Sequence, residues 1–220
     1  MFVSDALKKR VSTRAFAEKP ISEEKLKEIF SQIQRSPSNC NVQPWQTYVV
    51  SGEAKDKLKE SLCAEVMTGK PPYPEFDWKI RYDGKHRDRQ FGSAFTLYDA
   101  LGIEREDKTG RMMAGLRNWQ FFDAPHVVFF TMDRYLGIMG AVDLGIYAQS
   151  LALVLAENGL SSCMQGALGQ YPGPVREQLG IPESQSILFG MSIGYALEDA
   201  PANKAITDRV DLTESVEFVC

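Results

Sequence analysis

The sequence predicts an α+β fold in one domain that spans residues 1–220, with helices around a central sheet. Three segments carry this prediction. Residues 126–131 form a nearly continuous apolar run, which is typical of a strand buried on both faces. Residues 141–156 are good helix formers and apolar nearly all round, which predicts a helix buried in a core or a subunit interface. Ser22, followed by two glutamates, is a usual helix start.

The other elements follow from periodicity and from turn residues. The helix after Ser22 places Leu26, Ile29, Phe30 and Ile33 at helical spacing. Further helices are predicted at 2–9, 53–68, 86–100, 106–118 and 174–179. Further strands are predicted at 47–50, from about 160, and at 186–195.

Two regions have a less regular pattern. The stretch from about 70 to 120 is polar and rich in Arg and Asp, and it lies between predicted strands. We expect a helical excursion that covers the core as a lid. Residues 198–220 carry scattered apolar side chains in a polar background, which fits either an extended arm on a partner subunit or an ordinary terminal strand of the same subunit.

Composition excludes several classes of protein. The net charge of −4 argues against broad electrostatic binding to nucleic acid. Four cysteines without CxxC spacing and two histidines forty residues apart suggest neither a disulfide scaffold nor a metal site. Charged and polar residues interrupt the longest apolar stretch, and the N-terminus lacks a secretory pattern, so we expect a cytoplasmic protein without a membrane span.

One match to a serine hydrolase motif lacks the sequence context that this motif requires. Residues 190–194, GMSIG, match the GxSxG pattern of serine hydrolases. That pattern requires a helix directly after the serine and a catalytic histidine later in the chain. No histidine follows His126, so we reject the hydrolase interpretation of Ser192.

The segment Arg10-Val11-Ser12-Thr13-Arg14 is more informative. In an extended segment its alternate residues point to the same side, so two arginines and a hydroxyl would offer charge-assisted hydrogen bonds to a phosphate. The alternative is a solvated basic turn.

The loop PSNCNVQPW at 37–45 is the second candidate segment. It is dense in amide and hydroxyl groups and precedes a buried strand. Such a loop is able to read the polar edge of a planar ring, or it is a structural turn.

Together, four segments resemble the nitroreductase family of FMN proteins, in which matching elements occur in the same order. They are RVSTRAF at 10–16, PSNCNVQPW at 37–45, GLSSCMQGALG at 159–169 and GYALEDAPANK at 194–204. The resemblance covers both ends of the chain and leaves residues 70–120 poorly matched. It implies a mostly antiparallel sheet of four or five strands, completed in a homodimer by the partner's C-terminal arm.

The resemblance also implies a tightly bound FMN at the interface of that homodimer. Arg10, Ser12 and Arg14 would hold its phosphate and ribityl end, Lys204 would add a cation, and Asn203 would add a donor. The full set of implied cofactor-binding residues is Arg10, Val11, Ser12, Arg14, Pro37, Ser38, Asn39, Asn41, Gln165, Gly166, Asn203 and Lys204.

Within that set, the residues of the 37–41 loop would meet the flavin from the other subunit. The backbone of Gln165 and Gly166 would approach flavin N5, which favours reduction, and Arg14 would stabilise the reduced anion near N1. No catalytic side chain is expected, since the flavin carries the chemistry.

The implied reaction is ping-pong hydride transfer from NADH or NADPH, through flavin N5, to a small oxidised organic acceptor such as a nitroaromatic or a quinone. Two alternatives remain open: a non-catalytic FMN sensor or carrier, and a related flavin enzyme with dehalogenase or flavin-cleaving chemistry. Aromatic residues available to line the pocket are Tyr73, Phe76, Trp78, Tyr82, Trp119, Phe121 and Phe122. Cys40 and Cys163 are expected near the flavin as inert thiols.

Overall fold

The structure is a computed structural model that describes residues 1–77 and 81–220. Its centre is a four-stranded antiparallel sheet with the order β1-β2-β4-β3. The strands are β1 (Gln46–Ser51), β2 (His126–Asp133), β3 (Ser161–Gln165) and β4 (Gln185–Gly194). The α+β prediction is therefore confirmed, and each strand lies where the sequence predicts it to within two residues.

Seven α-helices surround this sheet in the described part of the chain. They are α1 (Val3–Lys9), α2 (Glu23–Ile33), α3 (Gly52–Met67), α4 (Gly84–Leu101), α5 (Lys108–Leu116), α6 (Gly137–Glu157) and α7 (Pro172–Leu179). Ser22 caps α2 as predicted, because its side chain accepts a hydrogen bond from the backbone N–H of Lys25 at 3.2 Å.

Helix α6 begins at Gly137, four residues before the predicted start. Two glycines lower the local helix propensity there, which hides the first turn from a sequence pattern. Packing explains one of them, since a Cβ on Gly140 would lie 2.7 Å from the sulfur of Met132.

The sheet is covered on both faces, as the apolar run of β2 predicts. Val128 and Phe130 pack into one core with α2 and α6, whereas Val127 and Phe129 pack into a second core with α3 and α7. Successive residues of a strand point to opposite faces, so one apolar run serves both cores. At about 25 cal/mol for each Å² of buried apolar surface, these cores supply most of the stabilisation of the fold.

Helix α6 also resembles a membrane span in length and composition. The segment Arg134–Glu157 has a mean hydropathy of 1.7. The core helix of a soluble protein passes the same test, and residues of α6 such as Leu144, Tyr147, Leu151 and Leu155 are fully buried against the sheet and α2. The apolar composition is therefore weak evidence for a membrane.

The C-terminal segment from 205 to 220 contains no strand, only a 3-10 turn at Leu212–Glu214. An ion pair of 2.9 Å between Arg89 and Glu214 joins it to α4. Val216, Phe218 and Val219 are exposed. The alternative of a terminal strand in the same subunit is therefore wrong, and contact of this arm with a partner stays a prediction.

Candidate functional site

The segment 10–14 lies in an extended conformation beside β3. The backbone N–H of Thr13 donates to the carbonyl of Ser162 at 3.0 Å, and Ser12 pairs with Ser162 in a parallel bridge. Thr13 is buried, whereas Arg10, Val11, Ser12 and Arg14 line one cavity of about 580 Å³. The two arginines and the Ser12 hydroxyl therefore meet at one cavity, although Val11 lines it too, and their contact with a phosphate stays a prediction.

Four elements form the remaining walls of this cavity, which we call the basic cavity. They are the end of α1, the middle of α6, strand β3 and the C-terminal segment. Their lining residues are Leu7, Lys8, Gln149, Ala152, Ser162, Met164, Ala205, Ile206, Thr207 and Arg209.

The electrostatics of the basic cavity favour an anion. Arg10 and Arg14 are half-buried, and within residues 1–77 and 81–220 neither forms an ion pair with a carboxylate. Half-buried guanidinium groups without a counter-charge are costly, because they lose part of their hydration. A bound phosphate would supply that charge together with matching hydrogen-bond acceptors.

Arg209 is a cation of the basic cavity that the sequence analysis missed. Its Nη1 donates to the carbonyls of Thr207 and Asp208 at 3.0 and 2.9 Å. Lys204, the predicted added cation, is exposed at the end of a 3-10 turn and does not line the cavity. In the sequence, only the positive charge of Arg209 pointed to an anion-binding role, because the segment around it has no regular hydrophobic period.

Asn203 connects the C-terminal segment to the segment 10–14. Its Oδ1 accepts hydrogen bonds from the backbone N–H groups of Arg14 and Ala15, at 2.7 and 3.1 Å. Its Nδ2 donates to the carbonyls of Ala15 and Leu197, at 2.8 and 2.9 Å. The Asn203 amide thus bonds to backbone in this structure, and donation to a ligand stays a prediction.

Cys163 lies behind Ser12 and Arg14. Burial raises the pKa of its thiol to about 11, although the neighbouring arginines oppose that shift. The thiolate is the reactive form, so this cysteine is inert at neutral pH. Cys40 is exposed in the 37–43 loop.

Strand β3 contributes two residues to the wall of the basic cavity. Met164 and Gly166 are exposed, and Ser162 and Met164 line the cavity, whereas Gln165 between them is buried. Strand alternation explains this pattern. The Gln165 side chain therefore points inward, and the backbone of Gly166 lies on the open side.

The loop 37–43 lies outside the basic cavity of its own chain. The backbone N–H of Asn39 donates to the carboxylate of Asp143 at 3.0 Å, and that of Gln43 donates to Ser38 Oγ at 2.9 Å. Cys40, Asn41 and Gln43 have φ values of 47°, 57° and 48°. Non-glycine residues in the left-handed region are strained, and such strain clusters at functional sites. Pro37, Ser38, Asn39 and Asn41 are thus not joined to Arg10 within one chain.

Within the part of the chain that the structure describes, none of the candidate aromatic residues lines the basic cavity. Tyr73, Trp119 and Phe121 pack into the core between the sheet and α3, and Phe76 packs against the core on the other face. Phe122 is buried in a small third cluster. Tyr82 is exposed, and Trp78 lies outside the described residues.

Comparison with known proteins gives consistent matches. The model of the nitroreductase family matches residues 7–195. Nitrobenzene nitroreductase of Ectopseudomonas oleovorans is 33% identical over 99% of this chain and 97% of its own length. Nitroreductase NfnB of Mycolicibacterium smegmatis is 35% identical over 96% of this chain and 90% of its own length.

Solved structures agree over the whole chain. The FMN and NADPH-dependent nitroreductase NfnB from Sphigopyxis sp. strain HMH superposes with a TM-score of 0.96 at 36% identity, covering 100% of both chains. The FMN-dependent nitroreductase NfnB from Mycobacterium smegmatis, solved with NADPH, gives a TM-score of 0.94 at 32% identity, covering 99% and 98% of the two chains.

Proposed function

This chain belongs to the nitroreductase family, and on that premise we propose that it is an FMN-dependent oxidoreductase that uses NAD(P)H to reduce nitroaromatic compounds. The observation that carries the proposal is the basic cavity, in which half-buried Arg10 and Arg14 flank Ser12 and have no carboxylate partner among the described residues. Relatives named for nitrobenzene reduction and for FMN and NADPH dependence support the same activity.

The residues of the basic cavity fit the phosphate end of FMN. Arg10 and Arg14 offer planar, fork-shaped donors, Ser12 offers a hydroxyl, and Arg209 adds a third positive charge at the rim. A phosphate monoester carries close to two negative charges at neutral pH. Three guanidinium groups therefore balance it with little excess charge, which limits the cost of burying the ions.

This chain contributes position and electrostatics, and the bound FMN supplies the hydride chemistry at its N5 atom. We assign the backbone N–H of Gly166, which is exposed two residues after the cavity-lining Met164, to a hydrogen bond with the ring. Because we assign Arg14 to the phosphate end, we assign no cation of this chain to the N1 side of the ring. No acid or base side chain is required from the protein, and none is assigned.

A homodimer would complete the site. Helix α6 exposes an apolar stripe of Ile138, Met139, Val142 and Ile146. The stripe continues into Gln149, which lines the basic cavity one turn later. Burial of exposed apolar surface drives association, so a second copy seated on this stripe would lie at the cavity edge.

In that arrangement the partner's 37–41 loop would contact the flavin, and the C-terminal arm of each subunit would lie on the other. The strained 37–41 loop would then bind the cofactor, and the exposed residues Val216, Phe218 and Val219 would be buried against the partner. We place the enzyme in the cytoplasm, and we assign a lid role to α4 and α5, the described helices of the region from about 70 to 120.

Absorption spectroscopy of the purified protein tests the proposal. We expect flavin bands that bleach under anaerobic conditions when NADH or NADPH is added, and that return when nitrobenzene is supplied. Comparing the two bleaching rates identifies the preferred donor. A bound flavin that neither reductant bleaches would indicate an FMN carrier or sensor. A colourless protein that FMN does not reconstitute would refute the proposal.

A further inference from the structure

Ser192, the serine of the rejected hydrolase motif, is fully buried in β4. Its hydroxyl donates a hydrogen bond of 2.6 Å to Oε1 of Gln165 at the end of β3. The Gln165 side chain continues the connection, because its Nε2 donates to the backbone carbonyl of Asn118 at 2.8 Å. Ser192, Gln165 and Asn118 thus form one relay of hydrogen bonds across three segments.

The relay holds a turn that is packed tightly on its other sides. This turn, Gly166–Gly169, follows Gln165 directly. A Cβ on Gly169 would overlap the carbonyl oxygen of Leu188, so the turn lies flush against β4. Trp119 Nε1 donates to the carbonyl of Ala167 at 3.2 Å, which adds a second link to the segment after α5.

The relay lies on the inner side of β3, opposite the basic cavity. Met164 lines the basic cavity, Gln165 is buried and Gly166 is exposed, so the hydrogen bonds of the Gln165 side chain anchor the backbone where β3 leaves the cavity wall. Ser192 supplies the buried donor that Oε1 needs. Without the Ser192 hydroxyl, Oε1 of Gln165 would be a buried acceptor without a partner, which favours a shifted position of the Gln165 side chain.

We propose that Ser192 is a positioning residue for the flavin, which acts through Gln165 to fix the 165–167 backbone at the ring. This inference rests on the proposed function, since it requires FMN in the basic cavity. Ser192 touches neither flavin nor substrate; it decides the placement of the group that does. Because the segment 117–119 holds the same turn, the relay also ties the end of α5 to the flavin side of the cavity.

The variant Ser192→Ala tests this role, and Ser186→Ala is its matched control. Ser186 is equally buried in the same strand, and its hydroxyl accepts a hydrogen bond from Arg134 Nε at 2.9 Å, away from β3. Two quantities are measured in each full-length protein: the two-electron midpoint potential of bound FMN, and the hydrogen exchange of amides 165–169 before and after removal of FMN.

For Ser192→Ala we expect a midpoint potential lowered by about 30 mV, equivalent to a tenfold change in a two-electron equilibrium constant. We also expect at least tenfold faster exchange at 165–169. Ser186→Ala should match wild type in both quantities. A Ser192→Ala protein with wild-type potential and exchange would overturn the inference, as would equal shifts in the control.

Two further measurements keep the outcomes separate. Ser192→Thr retains the hydroxyl, so its potential should return towards wild type. If Ser192→Ala does not fold, Ser192→Cys replaces it, because a thiol is a much weaker hydrogen-bond donor than a hydroxyl. If wild type binds no FMN, the proposed function fails, and unchanged exchange in the flavin-free variant would then show that the relay does not hold the turn either.

Discussion

Replacing Arg14 with methionine should weaken the binding of FMN far more than the binding of riboflavin. Arg14 is half-buried in the basic cavity, and among the described residues no carboxylate is paired with it. Methionine keeps much of the side-chain length and removes the charge. Riboflavin lacks only the phosphate, so comparing the two flavins isolates the phosphate interaction from contacts with the ring.

The expected magnitude follows from the burial of the side chain. A hydrogen bond to a charged group contributes about 1.5 to 3 kcal/mol, and partial burial places Arg14 inside that range. Each 1.4 kcal/mol corresponds to a factor of ten in affinity. We therefore expect the dissociation constant of FMN to rise about 10- to 100-fold in Arg14→Met, and that of riboflavin to change less than about threefold.

Quenching of flavin fluorescence during titration of flavin-free protein measures both constants. Arg35→Met is the matched control, since Arg35 is exposed at the end of α2 and does not line the basic cavity. It should bind both flavins like wild type. Equal losses for FMN and riboflavin in Arg14→Met would refute the reasoning, because the arginine would then act on the fold or the ring and not on the phosphate.

Four further substitutions test the stability of the fold. Glu75→Ala should lower the free energy of unfolding by about 3 kcal/mol in urea titrations, because it leaves Arg176, whose Nε lies 2.5 Å from that carboxylate, without its partner. Burial lowers the pKa of His126 below 6.5. The free energy of unfolding should therefore be at its full value above pH 6.5 and fall as the pH drops from 6.5 towards the pKa of His126 in the folded protein. His126→Asn should flatten this part of the plot of unfolding free energy against pH. Gly169→Ala should cost about 1 to 3 kcal/mol by steric overlap, whereas Gly115→Ala, which points into open space in α5, should gain up to about 1 kcal/mol.

Matched variants distinguish these causes from general damage. Glu60→Ala removes an exposed carboxylate from α3 and should change stability by less than about 0.5 kcal/mol. His86→Asn alters an exposed histidine of α4 and should leave the pH curve unchanged. If Glu75→Ala is as stable as Glu60→Ala, the ion-pair explanation is wrong. If His86→Asn changes the pH dependence of stability and His126→Asn does not, the explanation from His126 is wrong.

Sequence pattern predicted the features that depend on neighbours along the chain. The apolar run at 126–131 indicated a strand buried on both faces, and the spacing of Arg10, Ser12 and Arg14 indicated that their side chains would meet, as they do at one cavity that Val11 also lines. The lack of a histidine after His126 excluded a hydrolase, and β4 runs through Ser192 to Gly194 without the helix that the hydrolase motif requires. The family resemblance then assigned FMN, which the residues alone did not identify.

Other features depend on which distant segments meet, and the tertiary structure alone decided them. Arg209 instead of Lys204 reaches the basic cavity because the irregular C-terminal segment turns there without a period that a pattern would reveal. The pairing of Ser192 with Gln165 depends on the register of β3 against β4.

The sequence by itself thus determined where the strands and helices lie, because period and capping are local properties of the chain. Only the tertiary structure decided which polar groups become partners. That choice depends on packing between residues as far apart as Arg14 and Asn203, which are separated by 189 positions.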